Sequence, residues 1–147
     1  RRPPRSTLFP YTTLFRSLSA EKYSAWVADQ QSKLAATKED PTKEWALAEL
    51  VAKGEQVFAA NCAACHQADG KGMPPAFPPL DGSAVVQGPK AEQIQTVLNG
   101  REGTAMAAFG KQLSDTDLAA VITYTRNAWS NQTGEAIQPA EIAAAHN

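Results

Sequence analysis

Residues 61–75 read NCAACHQADGKGMPP, and this stretch holds both cysteines of the chain and one of its two histidines. The spacing Cys62-Ala63-Ala64-Cys65-His66 admits three chemistries. It could ligate a metal ion, work as a redox dithiol, or anchor a group larger than an ion. The flanking sequence has to separate them.

Upstream, Leu47, Val51, Gly54 and Phe58 recur at spacings of four, three and four and form an apolar stripe that runs straight into Cys62. Gly54 is the odd member. A glycine inside a helix costs roughly 0.5–1 kcal/mol relative to alanine, so its missing side chain points to close approach by another helix. Asp40-Pro41 reads as a cap and first-turn proline that start this helix. Before it, Ser19 as N-cap, Glu21 in the first turn, and Tyr23, Trp26, Val27 and Leu34 near one face predict a helix over about 20–37.

Downstream, residues 67–89 are rich in glycine and proline and read as loop. A helix over about 90–99 carries Ile94, Val97 and Leu98 and stops at Asn99-Gly100. A second loop, Arg101 to Leu113, contains Met106. Ser114 with Asp117 three residues on resembles a capping box and opens a last helix striped by Leu118, Val121, Ile122, Thr125 and Trp129, with Tyr124 alongside. No strand is predicted. The fold class is all-α, short helices with long loops. Structureless loops beyond about 12–15 residues are uncommon in compact domains unless they wrap a functional element. Something other than side chains is expected at the centre.

The chain has 147 residues and 43% hydrophobic content, enough for about one domain with a modest core. It has no run of ~18 apolar residues, so the sequence predicts no membrane span. The net charge of −1 hides an asymmetry, because residues 1–20 carry four arginines and no acid, leaving 10 basic against 15 acidic side chains in the rest. That acidic body argues against a nucleic-acid partner and suits a basic protein partner. The first seventeen residues, RRPPRSTLFPYTTLFRS, lack the uninterrupted apolar centre of a signal peptide. They resemble translated sequencing-adapter readthrough and are set aside as a non-native or disordered leader.

Each chemistry for the cysteines can then be weighed. A structural zinc site needs four ligands, and beyond Cys62, Cys65 and His66 the only strong candidate is His146, near the C-terminus. A thioredoxin-like dithiol belongs at the start of a helix after a strand, whereas this one ends a helix. C-x-x-C-H is also the attachment signature of haem c. Two thiols three positions apart can reach the two vinyl groups on one porphyrin edge as thioethers, with the adjacent imidazole beneath the iron. A second axial ligand is expected at Met106, since electron-transfer haems take His and Met and the thioether favours Fe(II). Met73, seven residues after His66 on the same restricted loop, would have to cross to the other haem face. It is read instead as packing near the haem edge.

Together these residues resemble a class I cytochrome c over residues 50–129. Gly54 and Phe58 match that family's first helix, and Tyr124 in ITYTRNAW matches the aromatic of its last helix, which in the family crosses the first at the glycine. The pair PP in AFPPLDGS is similar to the loop whose proline carbonyl accepts the proximal imidazole N–H, by register Pro78, a bond that fixes the ring. A narrower resemblance covers about residues 18–147. SAEKYSAWVADQQ, GEQVFAANCAACHQADGKGMPPAFPPLDGS and VLNGREGTAMAAFGKQLSDTDLAAVITYTRNAWSN, in that order, look like the C-terminal haem c domain of bacterial cytochrome c oxidase subunit II, fused haem c type. Ala107 departs from it, standing where relatives often have proline after the methionine, which bears on the stiffness of the ligand loop.

The resemblance implies a leader at 1–17, a helical linker at 18–42 following a missing copper domain, a cytochrome c domain at 43–131 and a flexible tail at 132–147. It implies one covalent haem c on Cys62 and Cys65, with His66 and Met106 as iron ligands, and a dinuclear copper centre upstream. Electrons would come from a cytochrome c or bc-type complex and pass to that copper centre, at the periplasmic face of a bacterial inner membrane and beside other oxidase subunits. No catalytic acid, base or nucleophile is expected, the enzyme being the complete oxidase. The alternatives are an independent periplasmic cytochrome c carrier and a ligand-binding or catalytic haem protein.

Overall fold

The structure, a computed structural model, describes residues 21–27, 40 and 42–146. The chain divides into two units, residues 1–38 and 39–147. In the first, residues 21–27 are helical, with Tyr23 and Trp26 exposed and their rings stacked 6.1 Å apart. The leader 1–17, the Ser19 cap and Leu34 lie outside the described residues.

The second unit orders six helices: α1 (Leu47–Asn61), α2 (Ala63–His66), α3 (Ala84–Gln87), α4 (Lys90–Asn99), α5 (Asp115–Asn127) and α6 (Pro139–Ala145). Among the described residues there is no strand, only an isolated bridge between Met73 and Phe77, so the expected all-α class is what is found. No described helix is long and apolar enough to cross a membrane.

The most extensive helix contact is between α1 and α5, and Gly54 makes it possible. A Cβ there would fall on the Ala120 carbonyl and 2.6 Å from Tyr124 Cβ, so the two backbones touch with nothing between them. The buried stripe of α1 is Leu50, Gly54 and Phe58. Leu47, assigned to that stripe from sequence, is exposed instead, because the spacing of four from Gly54 runs back to Leu50. The helix also starts later than Asp40-Pro41 suggested. The Asp40 carboxylate accepts from Thr42 N–H and Oγ1, at 2.9 and 2.6 Å, in a turn, and Glu49 caps the Ala46 N–H at 3.2 Å.

α4 ends where expected, at Gly100 with φ of 70°. α5 starts at Ser114, whose hydroxyl accepts from Asp117 N–H at 3.1 Å. It ends at Asn127, short of the expected Trp129. Asn127 accepts from Gly134 N–H at 2.8 Å and donates to the Glu135 carbonyl at 3.0 Å, and these bonds reverse the chain. Trp129, at φ of 56°, then packs edge-on against Phe58 and Tyr124, centroids 5.3 and 5.6 Å away, and donates to the Ala68 carbonyl at 3.1 Å.

The segment assigned to a flexible tail contains the last helix of the core. Ile137 and Ile142 are fully buried, Pro139 sits in the first turn of α6, and Glu141 accepts from Gln138 N–H at 2.9 Å. Gln138 also clasps the chain ahead of α1, accepting from Trp45 N–H at 2.8 Å and donating to Trp45 O at 3.0 Å. The apolar area of two isoleucines, not composition, decides this segment.

Two stability outcomes follow. Gly54→Ala forces α1 from α5 and should destabilise the domain by at least about 1–3 kcal/mol, read as a lower urea midpoint with unchanged slope. Ile142→Ala should cost about 2–5 kcal/mol in the same measurement, whereas a free tail would give no shift.

Candidate functional site

Cys62 is the hinge between α1 and α2. Its N–H still bonds to Phe58 O at 2.8 Å, and its own carbonyl accepts from Cys65 N–H at 3.1 Å and His66 N–H at 3.0 Å. Both thiols and the imidazole therefore leave a single turn. Gln67, at φ of 63°, stops it.

The loop that follows folds back on this turn. The Gly70 carbonyl accepts from both Leu80 N–H at 2.7 Å and Asp81 N–H at 3.0 Å, and Gly72 N–H donates to His66 O at 2.9 Å. The result places the Pro78 carbonyl 3.0 Å from His66 Nδ1. A carbonyl only accepts, so Nδ1 carries a proton and Nε2 is the ring nitrogen left to serve as a ligand. Gly72, at φ of 62°, lies against that carbonyl, and a Cβ there would come 2.7 Å from Pro78 O.

Cys62, Cys65, His66, Pro78 and Met106 all line one cavity of about 550 Å³, within the size range of small-molecule and cofactor sites. Its walls are largely apolar, with Phe58 from α1, Leu80 from the first loop, Val97 from α4, and Val121 and Ile122 from α5. Burial, then the neighbouring Cys65, pushes the Cys62 thiol up to about 11, so it is uncharged at neutral pH. Met73 is 45% exposed and is not among the lining residues.

Met106 is held by its backbone. Its carbonyl accepts from Arg101 N–H at 3.1 Å, and its N–H donates to Thr104 Oγ1 at 3.2 Å. Beyond it, Phe109 and Gly110 N–H donate to Val97 and Leu98 carbonyls on α4, at 3.0 and 3.1 Å. The stiffness that a proline at 107 would supply comes from these bonds.

The donor set suits haem c: two thiols on one turn, an imidazole with a fixed tautomer, a thioether on the same cavity, and apolar walls. It does not suit zinc. His146 Nε2 lies 2.8 Å from Asp115 Oδ1, and the described residues contain no cluster of three or more His, Cys, Asp or Glu side chains able to hold an ion. A helix, not a strand, precedes the cysteines, which removes the thioredoxin-like setting.

Sequence reasoning missed the polar part of the wall. Gln93 and Thr125, each 5% exposed, line the cavity and bond to each other at 2.8 Å. Behind them lies Arg126, 2% exposed. The only sequence signal for it is its place four residues after Ile122, in line with the apolar stripe.

Residues 49–124, just over half of the chain, match the family described as cytochrome C oxidase, cbb3-type, subunit III. The cbb3-type cytochrome c oxidase subunit FixP of Azorhizobium caulinodans is 40% identical over 82 residues, covering 54% of this chain and 28% of that protein. The cytochrome c subunit of a quinone alcohol dehydrogenase from Gluconobacter oxydans is 30% identical over 99 residues, 60% of this chain and 21% of that protein. Cytochrome c-552 of Thermus thermophilus is 34% identical over 94 residues, 54% of this chain and 70% of that protein. The chain thus spans only about a quarter of the length of the oxidase and dehydrogenase subunits, but most of a small cytochrome.

Gly72→Ala should displace the Pro78 carbonyl and release the His66 ring. NMR of the imidazole should show the Nδ1 proton exchanging with water at least about tenfold faster. Unchanged protection would mean that Pro78 does not hold the tautomer.

Proposed function

The chain belongs to the cytochrome c domain family of the cbb3-type subunit III description, a haem c electron-transfer domain, and on that premise we propose how it holds its haem and which protein it serves. Cys62 and Cys65 would hold the haem through two thioether links, and His66 and Met106 would ligate its iron. The observation that carries this is the single cavity lined by all four side chains, with His66 Nδ1 tied to Pro78 O at 3.0 Å.

Bound there, haem c supplies a one-electron Fe(III)/Fe(II) couple. The chain's own contribution is to hold and tune. The Pro78 carbonyl orients the imidazole and raises its basicity. The neutral Met106 sulfur favours the reduced state, and the apolar walls keep water away. With His66 and Met106 both on the iron, the haem would carry electrons without binding substrate there.

Our reading of the parent protein is a bacterial cytochrome c oxidase subunit II with a fused haem c domain. There the domain would take electrons from a cytochrome c or bc-type donor at the periplasmic face and pass them to a dinuclear copper centre. Support comes from the helical 21–27 stretch with its exposed Tyr23 and Trp26 ahead of the domain, in the order that subunit shows. A free periplasmic carrier is the second reading, favoured by the 70% coverage of cytochrome c-552. The gene upstream of Leu18 separates them. A copper-binding motif and two membrane helices support the subunit, and a secretory signal directly upstream supports the carrier.

Met106→Ala should lose the far-red absorption band of Met-ligated ferric haem, bind carbon monoxide in the reduced state, and show a markedly lower potential. A variant that keeps the wild-type band and potential would assign the ligand to Met73.

A further inference from the structure

Among the described residues Arg126 is the largest side chain withdrawn from solvent, and the haem-holding roles leave it unused. A buried guanidinium is unfavourable unless its donors are met, so the destination of each donor is informative. One terminal nitrogen donates to the Val86 carbonyl at 2.7 Å and to Gln93 Oε1 at 3.2 Å. The other donates to the Gly88 carbonyl at 2.9 Å and to the Glu135 carboxylate. Nε has no partner.

Because guanidinium offers only donors, Gln93 must turn its oxygen to Arg126 and its nitrogen to Thr125 Oγ1. Thr125 in turn donates to the Ile122 carbonyl at 3.0 Å. Val86, Gln93 and Thr125 all line the cavity, so the positive charge sits one side chain behind the wall. Its counter-charge is placed differently. The Arg126 side chain is 2% exposed and that of Glu135 48%, although both border a polar surface hollow with Gln87 and Ser130. Water and salt therefore screen the carboxylate far more than the guanidinium. The unequal screening leaves a net positive field on the cavity side.

We propose that Arg126 is a positioning residue that raises the reduction potential of the haem c, through its buried charge and the Gln93–Thr125 bonds it orients, and that Glu135 offsets part of this effect. The proposal rests on the haem c reading of the cavity. A fixed positive charge favours the redox state that holds the extra electron. The bonds to Val86 and Gly88 keep that charge from moving away when the electron arrives.

Potentiometric titration of the haem-loaded protein tests this, with protein mass and absorption spectrum recorded for each variant. Glu135→Gln changes a half-exposed side chain and should raise the potential. The expected size is a threefold to tenfold change in the oxidised-to-reduced ratio at fixed ambient potential, the upper limit being about 59 mV for one electron. Arg126→Lys, which keeps the charge, should stay within about twofold of wild type. Arg126→Met combined with Glu135→Gln should fall below Glu135→Gln by a similar threefold to tenfold factor. A structural role alone would lower the melting temperature and leave the potential unmoved. Glu135→Gln at wild-type potential with the far-red band intact overturns the proposal, and this variant decides even if the Arg126 variants fail to fold. A mass without covalent haem would overturn the haem reading instead, so the two failures are told apart.

Discussion

The rest of the structure depends on a contact with no side chain in it, the approach of the α1 and α5 backbones at Gly54 and Ala120. One turn beyond it on each helix, Phe58 and Tyr124 meet with ring centroids 5.5 Å apart, and Trp129 closes the third side of the cluster. One turn further along α1 is Cys62, and on the facing stretch of α5 are Val121, Ile122 and Thr125. The helix crossing therefore sets the separation between the cysteine turn and the opposite wall. A wider crossing would enlarge the cavity at one end without moving any residue of the C-x-x-C-H motif.

The long loops are ordered by specific acceptors rather than by proline alone. Asn131 is fully buried and joins four partners. Its amide donates to the Leu80 and Thr125 carbonyls, both at 2.9 Å, and its oxygen accepts from Gly82 N–H at 3.0 Å and Gln87 Nε2 at 2.8 Å. A single side chain thus ties the first loop, α3 and the end of α5 together, satisfying backbone groups that would otherwise be buried unpaired. Asp81 adds two bonds from Ser130, which hold its carboxyl below the usual carboxylate range.

What could be read from the sequence divides along physical lines. Local signals with a steric cause were legible: the thiol spacing, the helix stop at Asn99-Gly100, the serine cap of α5, and Gly54 as a place of close approach. Pro78 came from family resemblance, and its carbonyl lies 3.0 Å from His66 Nδ1. Features decided by long-range pairing were not legible. Leu50 rather than Leu47 faces the core because α5 lies on that side. The helix containing Ile142 looks weak as sequence, since two isoleucines among alanines gain their value only against a core already formed. Arg126 and Gln93 are 33 residues apart and are joined by one hydrogen bond, which no local pattern encodes.

The C-terminal segment shows how fold stability and site geometry are joined. Gln138 holds the chain ahead of α1, Glu141 pairs with Lys90 at the start of α4, and Gln95 on α4 donates to the Ala145 carbonyl at 3.2 Å. His146 reaches Asp115 at the start of α5. Three of the helices that wall the cavity are thus braced from outside by one short stretch, which also carries Glu135 to Arg126. A cavity that must accommodate a change of one unit of charge works best when its dipoles are already in place and need not reorganise. External bracing supplies that stiffness while leaving the interior wall largely apolar, with Gln93 and Thr125 as its polar part and the Arg126 charge behind them.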